Sequence, residues 1–218
     1  MRLLTTFIFF LLLTAGFCFT GCKSKTNNNQ EPVVKTTSGD VSGSFNDSVY
    51  AFKGIPYAKA ERFMPPQDPD AWDGILECKN FGPVAKQIVA WIPDSTMDEK
   101  KLFSVNVWTK GIMDGKKRPV ILWLHGGGFH VGSSNDPMTY GEALAKKGDV
   151  VMVSVNHRLN ILGFLDLSAC GPNYAQSANV GMLDIVKAME WIKSNIENFG
   201  GNPSDVTIFG ESGGGGKV

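Results

Sequence analysis

Ser212 stands in the run Gly210-Glu211-Ser212-Gly213-Gly214, which fits the pattern G-x-S-x-G. The pattern follows an apolar run at 206–209 and precedes small residues that can open a helix. Glycines on both sides of the serine permit a turn too sharp for bulky side chains, and such a turn lifts a serine hydroxyl out at the edge of a sheet. The N–H of Gly213, at the start of the expected helix, can then face a developing negative charge on oxygen. The chemistry this allows is nucleophilic attack by a hydroxyl. A second glycine run, "WLHGGGF" at 123–129, follows another apolar run upstream. Three consecutive glycines let the backbone curl and expose N–H groups with no side chain in the way, the second half of an oxyanion hole. No Lys-Ser or Lys-Thr pair follows this run, so it does not have the form of a phosphate-binding P-loop. Each run alone is a weak signal, and the two together are far more specific.

Both runs need strands to carry them. "PVILWLH" (119–125) and "DVVMVSV" (149–155) are continuous apolar stretches, the mark of strands buried on both faces of a parallel sheet. Residues 102–108 read as a further strand, and "VTIFG" (206–210) as another. Between the first two, "DPMTYGEALAKKGD" reads as one helix with Asp136 as N-cap, Pro137 in the first turn and Gly148 closing it. A second helix is expected from about Val180 to Asn198, where Ile185, Met189, Ile192 and Ile196 recur at helical spacing. Residues 33–53 alternate short β-rich runs with turn residues, which predicts hairpins. Residues 54–95 are rich in proline and lack a sustained period, so they read as ordered loop. Alternating strands and helices with buried strands predict an α/β sheet with helices on both faces.

The composition, 43% hydrophobic and 19% charged, supports one sizeable core. Lys plus Arg and Asp plus Glu balance at 21 each, and no basic run appears, which argues against nucleic acid as a partner. The N-terminal stretch is different. One arginine, Arg2, precedes an apolar run at 7–13 that weakens toward Phe19 and ends in small residues, so 1–21 reads as an export signal, with an uncleaved signal anchor as the alternative. Phe19-Thr20-Gly21-Cys22 resembles the lipobox of bacterial lipoproteins, with Phe19 where that pattern usually has Leu. Lipidated Cys22 would attach the protein to the membrane of a bacterial cell envelope, with secretion as the alternative. Residues 22–32 would be a polar tether without apolar periodicity, and the folded part would begin near Val33. Cys78 and Cys170, the cysteines of that part, are expected as free, partly buried thiols.

The ordered blocks "TTSGDVSG", "AFKGIPYA", "LHGGGF", "GDVVMVSVNHRLNILGF" and "NVGMLDIVKAMEWIKSNIENFGGNPSDVTIFGESGGG" resemble the type-B carboxylesterase family, the cholinesterase-like branch of the α/β-hydrolases, over 36–218. The resemblance implies an α/β-hydrolase fold with an N-terminal β-hairpin region, reaching just past the nucleophile elbow. It implies Ser212 as acyl-forming nucleophile, the N–H groups of Gly127, Gly128 and Gly213 as oxyanion donors, and Glu211 as a carboxylate beside the serine. Phe129 would line the pocket or simply pack. The implied substrate is a small-molecule carboxylic ester, with no cofactor and no metal. Where the family has a cysteine near position 85 this chain has Ala85, so the family's early disulfide is not implied here.

In this family the triad runs Ser, then Glu or Asp, then His, and the last two follow the serine at a distance. Here six residues follow Ser212, and the histidines, His125, His130 and His157, all precede it. None fits the triad order, and His125 and His130 lack the Cys or acid partners of a metal site. The expectation is therefore an N-terminal portion of an esterase, inactive by itself. A non-catalytic cholinesterase-like binding protein and one half of a split hydrolase are the alternatives. A portion ending here would also leave strand 206–209 with an unpaired apolar edge.

Overall fold

The computed structural model describes residues 31–218. The expected export signal at 1–21 and the lipidated Cys22 lie outside the described residues, as does the tether apart from Glu31 and Pro32. Those two are already attached to the fold: Glu31 pairs with Lys79, and the Pro32 carbonyl accepts from Gly43 N.

Nine strands form two sheets. The small sheet has β1 (Val33–Lys35) antiparallel to β2 (Asp40–Ser42), which runs parallel to β5 (Ile75–Glu77). The large sheet has the order β3-β4-β6-β8-β7-β9, built from β3 (Ser44–Asn46), β4 (Val49–Pro56), β6 (Ser104–Thr109), β7 (Arg118–Leu124), β8 (Val151–Val155) and β9 (Gly201–Gly210). Strands β3, β4, β6 and β8 pair antiparallel, whereas β8, β7 and β9 are parallel. The hairpins expected at 33–53 are present.

Alternation along the strands sends side chains to two cores. Val105 and Val107 of β6 and Val151, Val153 and Val155 of β8 face one side, where Ile185, Ala188 and Ile192 of α3 (Val180–Asn195) cover them. Trp108 and Met152 point to the other face and meet Ala145 of α1 (Glu142–Gly148). Every residue of β8 is buried, including Ser154, whose hydroxyl accepts from Asn106 Nδ2. A short helix, α2 (Asn160–Phe164), follows β8 and packs near α3.

Several expectations need correction. The helix expected from Asp136 to Gly148 is two pieces. Asp136 does cap, its carboxylate accepting from Met138 N, but the turn it caps is a 3-10 segment, Pro137–Thr139, and α1 starts afresh at Glu142. The break lets Gly141 lie against the Trp108 and Met152 side chains, where a Cβ would come within 2.6 Å of each. Gly148 lies inside α1, and Asp149 ends it in the left-handed region at φ 49°. Helix α3 stops at Asn195 and tightens into a 3-10 turn, Ile196–Phe199. The strand expected at 206–210 starts earlier, at Gly201, as β9. The proline-rich 54–95 contains β5. Cys78 is buried and its thiol pushed up to about 12, chiefly by burial, whereas Cys170 is exposed rather than partly buried.

Strand β9 pairs only with β7 among the described residues, and Val206, Ile208 and Phe209 are half-buried at that edge. A buried ion pair joins the segment after β8 to α3. Arg158 donates from Nε to Asp184 Oδ2 (2.8 Å), from Nη2 to Oδ1 (2.6 Å) and from its backbone N to Oδ2 (3.0 Å). Its Nη1 reaches the carbonyls of Glu61 and Met64, so one guanidinium fastens the long proline-rich segment to the sheet. Burial raises the Asp184 carboxyl against the lowering pull of Arg158. Replacing Asp184 by Asn leaves the guanidinium buried without its counter-charge. The expected loss is about 3 to 5 kcal/mol of folding stability, read by chemical denaturation; a loss below about 1 kcal/mol would show that the pair behaves as a surface one.

Candidate active site

Strands β7 and β9 are neighbours in register, with Trp123 opposite Phe209 and Leu124 opposite Gly210. The chain therefore leaves both strands at the same level, and the two glycine runs emerge side by side. From β9 it turns at once: Gly214 N donates to Glu211 O (2.7 Å) and Gly216 N to Ser212 O (3.1 Å). Ser212 sits at φ 51°, a left-handed conformation uncommon for a serine, and is exposed. Glycine is needed on both sides of this turn. A Cβ on Gly210 would overlap the Gly214 carbonyl carbon, and one on Gly214 would overlap the Leu124 carbonyl oxygen at the end of β7. The helix expected to open at Gly213 is a 3-10 turn, Gly215–Lys217.

From β7 the chain runs through His125 and Gly126 into a left-handed stretch, with φ 93° at Gly127, 60° at Gly128 and 68° at Phe129. The Gly127 carbonyl accepts from His130 N (3.0 Å) and Val131 N (3.1 Å). Gly128 faces the serine turn, since a Cβ on Gly213 would lie 2.6 Å from Gly128 N and 3.3 Å from Phe129 N. Among the described residues, the N–H groups of Gly127, Gly128 and Gly213 donate to no protein acceptor. Successive free N–H groups in such a backbone form a concavity suited to an anion. The structure thus brings Ser212, Gly127, Gly128 and Gly213 together. Glu211 joins them, its carboxylate lying over Gly126 with Oε2 beside the place a Cβ there would occupy. Phe129 packs edge-on against Phe164, with ring centroids 5.4 Å apart.

Beneath the loop are two buried histidines, His125 and His157, stacked with ring centroids 4.9 Å apart. Each aims Nδ1 at a backbone carbonyl, of Gly126 and of Arg158 respectively, both at 2.8 Å. His157 Nε2 has no partner. Burial, reinforced by the Lys217 charge, lowers His125 to about 4, and His157 is held well below its ordinary value by burial first, then by His125 and Lys217. Both are neutral at pH 7 and weak as bases. His130 is exposed and its backbone belongs to the loop turn. No group of three His, Cys, Asp or Glu side chains among the described residues could hold a metal ion.

Lys217 was not singled out by sequence reasoning. It is 6% exposed, donates to the His125 carbonyl (3.1 Å) and lies 4.9 Å from the centre of the Phe129 ring, with no carboxylate paired to it among the described residues. Only the three-dimensional return of the chain onto His125 reveals it. Gln87 and Asn160, which hydrogen-bond to the same loop, were also missed.

The sequence model of the carboxylesterase family matches residues 30–218. The chain is 38% identical to a para-nitrobenzyl esterase of Bacillus subtilis over 192 residues, covering 84% of this chain and 38% of that protein. Among solved structures, a carboxylesterase of Geobacillus stearothermophilus is 49% identical, with a TM-score of 0.79 over 85% of this chain and 39% of its own. An esterase of Clostridium hathewayi described as able to hydrolyze aliphatic aromatic polyesters is 43% identical, with a TM-score of 0.82 over 87% of this chain and 40% of its own. The chain spans about two fifths of the length of these relatives. The likeness to these enzymes makes the architecture that of the α/β-hydrolases.

Burial lowers the Lys217 ammonium to about 8 from its ordinary 10.5. A lysine with a depressed folded pKa favours the folded state once it is neutral, so folding stability rises as pH climbs from about 8 toward 10.5. In Lys217→Met that rise disappears and stability near pH 7 increases, measured by denaturant midpoints across the range. A wild-type midpoint that is flat or falling there would contradict the burial of an unpaired ammonium.

Proposed function

The chain belongs to the carboxylesterase family, and from that premise we propose that it carries the nucleophile and oxyanion half of a serine carboxylic ester hydrolase. The observation that carries this reading is the left-handed Ser212 held beside three backbone N–H groups that have no protein acceptor. In the proposed reaction Ser212 Oγ attacks the ester carbonyl carbon. The carbonyl oxygen takes up negative charge in the concavity formed by Gly127, Gly128 and Gly213, and collapse of the tetrahedral species expels the alcohol and leaves an acyl-serine. Water then attacks the acyl group at the same carbon, the oxygen returns to the same donors, and the acid is released.

The donors act on charge that appears only as the reaction proceeds, which is why their preorganisation matters more than binding strength. The three histidines are poor candidates for the base that takes the serine proton. His125 and His157 are buried beneath the loop and strongly depressed, and His130 belongs to the loop's own turn. We assign base and orienting acid to residues that follow the serine in a protein of the relatives' full length, in keeping with the Ser, acid, His order of this fold. Glu211, over Gly126, adds negative charge beside the glycine loop and is a candidate for favouring a protonated base. The proposed substrates are small-molecule carboxylic esters.

In the full-length protein, Ser212→Ala is expected to reduce kcat for p-nitrophenyl acetate by about 10⁴-fold or more while the melting temperature stays unchanged, because an exposed side chain loses only its hydroxyl and the backbone conformation is kept. Ester hydrolysis at the wild-type rate in this variant would reject Ser212 as the nucleophile.

A further inference from the structure

The glycine loop is held by one internal turn and by side chains from outside it. Four of its residues, Gly127, Gly128, Phe129 and Gly132, have φ between 60° and 105°, so it belongs to no ladder or helix. A trans peptide points its C=O and N–H in opposite directions. The Gly128 N–H therefore faces Gly213 only while the Gly127 carbonyl is turned away toward His130 N and Val131 N. What fixes those two amides fixes the oxyanion donor.

Two side-chain amides grip this return. Gln87, 7% exposed, forms a two-way bond with Gly132: Nε2 donates to Gly132 O (3.0 Å), and Gly132 N donates to Oε1 (2.7 Å). Asn160 takes the other side, its backbone N donating to Phe129 O (2.8 Å) and its Nδ2 to His130 O (3.4 Å). Both amides are anchored on one short stretch, Gln87 Nε2 donating to Ala85 O (3.1 Å) and Asn160 Nδ2 to Lys86 O (2.7 Å). Asn160 does this from φ 51°, a strained setting that asparagine tolerates better than most residues. Its Oδ1 accepts from Leu162 N (3.2 Å), so the amide has no freedom to flip.

We infer that Gln87 and Asn160 are positioning residues that set the direction of the Gly128 N–H group by clamping the loop's returning limb against residues 85–87. The inference rests on the proposed role of that N–H group. It assigns neither residue any contact with substrate. A clamp of this kind acts on the transition state, since the ground-state carbonyl needs the donors less than the oxyanion does.

The test uses the full-length protein. Gln87→Glu keeps the acceptor for Gly132 N and turns a second carboxylate oxygen toward the Gly132 and Ala85 carbonyls; Gln87→Met removes all three bonds at similar volume. Asn160→Asp keeps the turn and loses the donor. Each is expected to lower kcat for p-nitrophenyl acetate about 10- to 100-fold with KM within about twofold. The inhibition constant of an aryl trifluoromethyl ketone, whose hemiketal oxygen needs the same donors, should rise by the same factor as kcat falls. Folded variants with wild-type kcat and ketone affinity overturn the clamp, even if their melting temperature drops. If the Gln87 variants do not fold, Asn160→Asp carries the same two readouts. Ser212→Ala separates the two levels: undiminished hydrolysis in it rejects the nucleophile assignment, whereas Ser212-dependent hydrolysis that ignores Gln87 and Asn160 rejects only the clamp.

Discussion

The site depends on one close approach. At Gly214 the turn after β9 presses its backbone onto the carbonyl of Leu124, the last residue of β7, with no room for a Cβ between them. This is possible because Leu124 and Gly210 are register partners, so the two parallel strands end level and their exit turns must share the same space. The glycines at 210 and 214 let the turns interpenetrate, and the interpenetration leaves Ser212 outside and the Gly213 backbone against Gly128. A side chain at either glycine would move the serine hydroxyl away from the free N–H groups of the glycine loop.

The surroundings keep that junction rigid and electrostatically quiet. Strand β8, buried throughout, and the two helix-covered faces fix where β7 runs. The Arg158–Asp184 pair and its carbonyl contacts tie residues 61–64 to α3 next to the loop's return. Below the glycines the imidazoles of His125 and His157 are held neutral, which leaves Lys217 as the formal positive charge against the loop. Free backbone N–H groups line the concavity, with the Lys217 ammonium and the Glu211 carboxylate beside the loop, an arrangement suited to charge that develops on oxygen.

Much of this was legible in the sequence because it is local. The apolar runs of β7, β8 and β9, the spacing of α3 and both glycine turns each occupy one contiguous stretch. The break between Thr139 and Glu142 was not, because it serves the Trp108 ring from another strand. Nor was the early start of β9, whose Gly201 pairs with Arg118 across the sheet despite loop-like residues. Gln87, Asn160 and Lys217 escaped notice for the same reason: each is an ordinary polar residue whose partners lie far along the chain, Gln87 and Gly132 being 45 residues apart. Cys170 is exposed because its segment, Ser168–Cys170, is a surface 3-10 turn with no core face.

Covalent trapping decides whether Ser212 is the nucleophile. The full-length protein is treated with a fluorophosphonate, whose phosphorus mimics the tetrahedral carbon and whose oxygen needs the same donors, and the adduct is mapped by mass spectrometry. One label per chain is expected, on Ser212, with loss of ester hydrolysis in proportion to labelling. A label on another residue, or complete inhibition with Ser212 unmodified, would contradict that assignment.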